Sequence, residues 1–183
     1  MRAEIFQEGQ ARYLWERLHN PSCERLLLEI IRIIEEGGNG EFGILLLKPG
    51  YFSLDPGHPS LFQRRVEDLI SDNHLLVIAT SSPVLNQEQV RAIYSRIFTD
   101  KETPIPPEVQ KLRIDLETYM TAQVFSYLVY GIDAQNKLKS IKQVVREQIG
   151  WVQGSFEVKN AIHVPDKENF VAEIKMLFLV NKC

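Results

Sequence analysis

Apolar positions along the chain fall into runs and stripes that predict alternating elements. Asn20-Pro21 followed by Glu24 reads as a helix start, with a capping residue, a proline at the first helical position and an acid at the positive end of the dipole. Cys23, Leu26, Leu27, Ile30, Ile31 and Ile34 recur at helical spacing behind it, and Gly37-Gly38-Asn39-Gly40 ends it. The continuous apolar run from Gly43 to Leu47, followed by Lys48-Pro49-Gly50, predicts a strand buried on both faces. Phe62, Val66, Leu69 and Ile70 mark a helix, and Leu75–Ala79 a second buried strand. Asn86 with Gln89 resembles a capping box, and Val90, Ile93, Tyr94, Ile97 and Phe98 form the stripe behind it. After a proline-bearing loop over 99–107, Val109, Leu112, Leu116, Tyr119 and Met120 predict a helix. Gln123–Tyr130 then predicts a strand ended by Gly131. Leu138, Ile141, Val145 and Ile149 mark another helix, and Ser155–His163 a strand. Phe170, Val171, Ile174, Leu177 and Phe178 close the chain as a helix. This order predicts a four-stranded α/β or α+β sandwich with helices on the sheet. Periodicity alone leaves parallel and antiparallel pairing open. Residues 1–40 are expected to form an N-terminal helical extension, and 41–183 the main domain.

Composition narrows the function classes. The 183 residues are 44% apolar and 25% charged, which excludes a disordered chain or a coiled-coil rod. No apolar run approaches the roughly 20 residues that span a bilayer, so no membrane partner is expected. Cys23 and Cys183 stand at opposite ends of the chain, which is neither a disulfide framework nor a zinc pattern, and a reducing cytoplasmic location follows as the expectation. The net charge is −3, so nucleic acid is not expected as a partner.

No phosphate-binding glycine loop, zinc-protease motif or nucleophile elbow is present. One constellation carries chemistry. In the strand reading Phe156, Val158 and Ile162 share one face, and Glu157, Lys159 and His163 the other. His163 thus leaves the apolar face where Pro165 ends the strand. A histidine there, with a carboxylate from the following helix, can act as nucleophile or base, the carboxylate fixing its tautomer.

The residues Asn160-Ala161-Ile162-His163-Val164-Pro165-Asp166, then Ala172-Glu173-Ile174-Lys175-Met176-Leu177-Phe178, resemble the C-terminal signature of nucleoside diphosphate kinases. Leu47-Lys48-Pro49 is similar to that family's Lys-Pro-Asp turn, and Tyr119-Met120-Thr121-Ala122-Gln123-Val124 to its entry into a central strand. Gly154-Ser155-Phe156 stands where the family has Gly-Asp-Phe. The resemblance spans residues 43–178. It implies a ferredoxin-like α+β fold, a four-stranded antiparallel sheet with helices on one face. It also implies phosphoryl transfer from a nucleoside triphosphate to a nucleoside diphosphate through a phosphohistidine on His163. Glu173 would orient that histidine. Lys48, Tyr94, Lys139 and Asn160 would bind the nucleotide. Magnesium would arrive with the nucleotide rather than at a metal site of the protein, and a homo-oligomer is expected.

The departures point to an alternative, a weakened or inactive module acting in nucleotide binding or protein assembly. The family's two phosphate-binding arginines fall at Lys139 and Gln153. Lysine loses the bidentate fork, and glutamine the charge. A charge-assisted contact is worth about 1.5–3 kcal/mol, so its loss in the transition state would slow turnover about 10- to 100-fold. Lys139, Lys142 and Arg146 lie at i, i+3 and i+7 on one helical face and offer partial compensation. The ordinary roles of these residues are plainer: packing for Tyr94, and solvated charge for Glu173 and the three cations.

Overall fold

In the computed structural model the structure describes residues 28, 30–32, 42–55, 57–99, 105–149 and 160–179. Most of the expected extension, Gln153 and the stretch Ser155–Lys159 lie outside these. Strand β1 (Phe42–Leu47) is buried along its whole length. It lies between β3 (Phe125–Tyr130) and β4 (Ile162–His163), both antiparallel to it. β2 (Leu76–Ser81) adds to β3, also antiparallel, and the strand order is β2-β3-β1-β4. Pairing is therefore antiparallel throughout. It brings the edge strand β4, late in the chain, beside the first strand, with Leu46 opposite His163.

Because successive side chains of a strand alternate in face, β1 feeds two cores. Leu45 and Leu47 join Tyr127, Val129 and Ile162 beneath helices α1 (Leu61–Asp72) and α5 (Ala134–Gln148). Gly43 lets α5 come close, since a Cβ there would lie 2.6 Å from Leu138 Cδ1. These two crossover helices share one face, as the resemblance implies. The opposite face is covered as well. Ile44 and Leu46 pack with side chains of α2 (Gln87–Ile93), α4 (Pro107–Met120) and α6 (Phe170–Ile174), and with Ile30 and Ile31 of a helical stretch upstream. A sheet buried on both sides explains why β1 reads as an unbroken apolar run and β3 as one interrupted only by the buried Ser126.

Local signals account for the helix starts. Asn86 and Gln89 form the expected capping box, each side chain accepting from the other's backbone N–H at 2.9 Å. Ser60 caps α1 by accepting from Gln63 N at 3.0 Å. The stripe from Val90 to Phe98 is broken at Tyr94, which separates α2 from the short α3 (Ser95–Phe98). The closing helix is also compound. A 3-10 turn at Lys167–Asn169 leads into α6, which widens into a π turn at Lys175–Leu179. No helix of the described residues is long and apolar enough to cross a membrane.

Candidate active site

The first piece of the site is the turn that follows β1. Lys48-Pro49-Gly50-Tyr51 closes with Tyr51 N donating to Lys48 O at 3.2 Å. Gly50 has φ +86°. Proline second and a left-handed glycine third is the requirement of a type II turn. Lys48 N donates to Ala161 O at 2.8 Å, and Tyr119 Oη donates to Pro49 O at 2.6 Å. The turn is thus fixed at Lys48 by the residue preceding β4 and at Pro49 by α4. The Lys48 side chain continues the alternation of Ile44 and Leu46 and is only 2% exposed.

The second piece is the approach to β4. Ala161 adopts φ +60°, a left-handed conformation that costs a residue with a Cβ about 1 kcal/mol. Ile162 N donates back to Asn160 O at 2.6 Å across it. This bend sets the face assignment of the two strand residues. Ile162 enters the core under α1 and α5, and His163 takes the opposite face, toward Tyr94. That opposite face is packed rather than open. The rings of Tyr94 and His163 lie 5.1 Å apart, and Lys48 Nζ sits 5.4 Å from the Tyr94 ring centroid, within cation–π range.

The third piece is α6. His163 Nε2 lies 3.1 Å from Glu173 Oε2 and 3.3 Å from Oε1. Glu173 is 1% exposed, and the histidine side chain 14%. A carboxylate only accepts hydrogen bonds, so Nε2 carries the proton and donates it to Glu173, which leaves the lone pair on Nδ1.

Positive charge is concentrated around this ring. Burial, then the charges of Arg146 and Lys142, lower the Lys48 ammonium from its ordinary 10.5 to about 7. Arg146 Nη2 donates to Ile162 O at 3.2 Å, so the last turns of α5 reach β4. The pKa of Lys142 is lowered by its own burial and by Arg146, with Asp166 and Glu173 acting in the other direction. Burial, then the negative charge of Glu173, raise the Tyr94 phenol. Two buried polar atoms, Tyr94 Oη and Asn160 Oδ1, have no hydrogen-bond partner among the described residues.

Lys48, Tyr94, His163 and Glu173 therefore converge. Asn160 stands at the bend into β4 with its acceptor buried. Among the described residues Lys139 is tied to this cluster only through its charge, which acts on Lys142. It is exposed at the outer end of its helical row, and Arg146 and Lys142 of the same row supply the charge instead. Spacing along a helix assigns the face, but only the packing of α5 on β4 reveals which turn reaches the histidine. Arg96, which the sequence did not single out, bridges the two segments around the site. It holds Asp166 at 3.2 Å and Glu168 at 2.8 Å, and Asn169 Nδ2 donates to Ser95 Oγ at 3.3 Å. Among the described residues no three His, Cys, Asp or Glu side chains stand together as a metal cage.

No family model and no curated protein matches the sequence. Solved structures do. The chain is similar to the nucleoside diphosphate kinase of Aquifex aeolicus, with 20% identity and a TM-score of 0.51 over 75% of this chain and 94% of that one. It is also similar to the nucleoside-diphosphate kinase of Borrelia burgdorferi, solved as a transition state mimic with vanadate and ADP. That match has 14% identity and a TM-score of 0.51 over 76% of this chain and 88% of the other. The chain thus has the fold of the nucleoside diphosphate kinases, a ferredoxin-like α+β fold built on a four-stranded antiparallel sheet.

Proposed function

We propose that this protein transfers a phosphoryl group from a nucleoside triphosphate to a nucleoside diphosphate through His163. The observation that carries the reading is the hold of Glu173 on Nε2, because it leaves Nδ1 as the nucleophile. In the first half-reaction Nδ1 attacks the terminal phosphorus. The bond to the bridging oxygen breaks, and the diphosphate departs with that electron pair. The ring becomes a phosphorylated imidazolium, with its Nε2 proton still bonded to Glu173, whose charge offsets the new positive charge. In the second half-reaction a terminal oxygen of another diphosphate attacks the same phosphorus and the P–N bond breaks. Such transfer needs alignment and charge placement more than covalent chemistry. Lys48 and Arg146 supply the charge, the Tyr94 ring confines the imidazole, and the unpartnered Asn160 Oδ1 suits a sugar hydroxyl. Magnesium belongs to the nucleotide substrate in this reading and shields its phosphates. A cytoplasmic homo-oligomer acting on nucleoside di- and triphosphates completes the proposal.

One observation favours a second reading, a nucleotide-binding or assembly module with weakened transfer. In the ligand-free site Lys48 gives up much of its charge near neutral pH. The experiment is incubation with γ-labelled ATP and magnesium. Acid-labile, base-stable label on the wild type and none on His163→Ala supports transfer. An unlabelled wild type, or equal label on the variant, refutes it. ADP binding without label selects the module.

A further inference from the structure

We infer that Lys142 is a phosphate-binding residue, and that the nucleotide's phosphate chain lies along the last turns of α5, with Arg146 against β4 and Lys142 one turn further out. The inference deepens the reading above. It rests on a phosphate-bearing ligand at the site and not on phosphoryl transfer.

Three features of the fold lead to it. First, Lys142 and Arg146 stand at i and i+4 on α5, and like charges at that spacing destabilise a helix. Both ammonium and guanidinium also act on Lys48, so three basic side chains that disfavour one another's charge are held together beside a nearly closed ring. Second, the carboxylates that act on Lys142 are already committed. Glu173 holds the His163 ring, and Asp166 is bridged to Arg96. Third, Lys142 itself is half-buried, yet makes no hydrogen bond or ion pair among the described residues. A lysine that served only solubility would extend into water, as Lys139 does one turn earlier. A fold that keeps a desolvated ammonium beside a guanidinium and a second lysine, with its neighbouring acids engaged elsewhere, is arranged for an anion with several charges that arrives from outside. One helical turn separates Arg146 and Lys142 by about 6 Å of rise, a spacing on the scale of a di- or triphosphate chain.

The test is calorimetric titration of the full-length protein with ADP and, separately, with inorganic tripolyphosphate. Loss of one charge-assisted contact is worth about tenfold in affinity, so Lys142→Ala is expected to weaken both ligands about tenfold or more. Lys142→Arg is expected to restore binding to within about threefold, and Lys111→Ala, which removes an exposed charge from α4, to change it less than twofold. Melting curves of the ligand-free proteins should show Lys142→Ala at least as stable as wild type, since a repelled charge is removed. Wild-type affinity in Lys142→Ala, an equal loss in Lys111→Ala, or no binding of either ligand by the wild type overturns the inference. The two proposals fail separately. Binding that depends on Lys142 in a protein that never labels His163 removes only the transfer reading. Normal label on His163 with a silent Lys142→Ala removes only this one.

Discussion

A nucleoside diphosphate bound at the cluster is expected to carry a proton onto Lys48. The ammonium is lowered from 10.5 to about 7, by burial first and by Arg146 and Lys142 next. At 1.36 kcal/mol per pH unit, that displacement corresponds to about 5 kcal/mol working against the charged form. At pH 8 the free site therefore holds Lys48 about one-tenth protonated. A diphosphate reverses the local field, because its negative oxygens offset the two neighbouring cations and favour the charged lysine. Binding at pH 8 should then take up close to one proton per ligand. Calorimetric titration with ADP in two buffers of different ionisation enthalpy reads this directly, as a heat that depends on the buffer. Lys48→Met should abolish the dependence as well as weaken binding. The same displacement sets the pH profile of the ligand-free fold. Lysine in the unfolded chain binds its proton up to about 10.5, whereas the folded one lets go near 7, so stability rises with pH across that window. The penalty is at full strength below pH 7, and there Lys48→Met should be more stable than wild type. A binding heat that does not change with buffer, or a wild type that gains nothing between pH 7 and 10, refutes the reasoning.

Glu173→Gln keeps the shape of the buried side chain but removes the charge that offsets an imidazolium. It should slow His163 labelling about 10- to 100-fold with little change in melting temperature, and unchanged labelling kinetics would count against the role given to Glu173. Gly43→Ala pushes a methyl group to within 2.6 Å of Leu138 Cδ1. Such overpacking should cost about 1–3 kcal/mol in urea unfolding, whereas a neutral result would mean that α5 shifts freely on β1. Tyr94→Phe deletes a buried hydroxyl that has no partner among the described residues. The ligand-free protein should gain about 1 kcal/mol, and a loss of that size in a thermal melt would reveal a partner.

Much of the fold was legible because each local signal had a single physical meaning. The run Phe42–Leu47 is apolar without alternation, and β1 is the strand buried on both faces. Asn86 and Gln89 announced a capping box and form one. Pro49-Gly50 named the turn that presents Lys48. His163 and Glu173 were legible as a pair, and they meet at hydrogen-bond distance. What stayed hidden depends on depth and on long-range contact. Lys139, Lys142 and Arg146 are equivalent by helical phase, and their distinction comes from β4 docking against the end of α5. Tyr94 lies on an apolar stripe, yet the chain breaks its helix there, which no capping residue foretold. Ala161 takes a left-handed bend without glycine or asparagine at that position. Arg96 carried no signal, since its partners Asp166 and Glu168 come from a distant part of the chain.

The pairing of Leu46 with His163 has a consequence for biosynthesis. β4, which carries the proposed nucleophile, is the last strand of the sheet along the described residues, and Glu173 follows it. A ribosome must release almost the whole domain before the imidazole, its acid and Lys48 can meet. Incomplete products of translation would hold Lys48 and Tyr94 yet have no reactive ring to phosphorylate. On the proposed mechanism, the order of synthesis keeps half-made chains chemically silent.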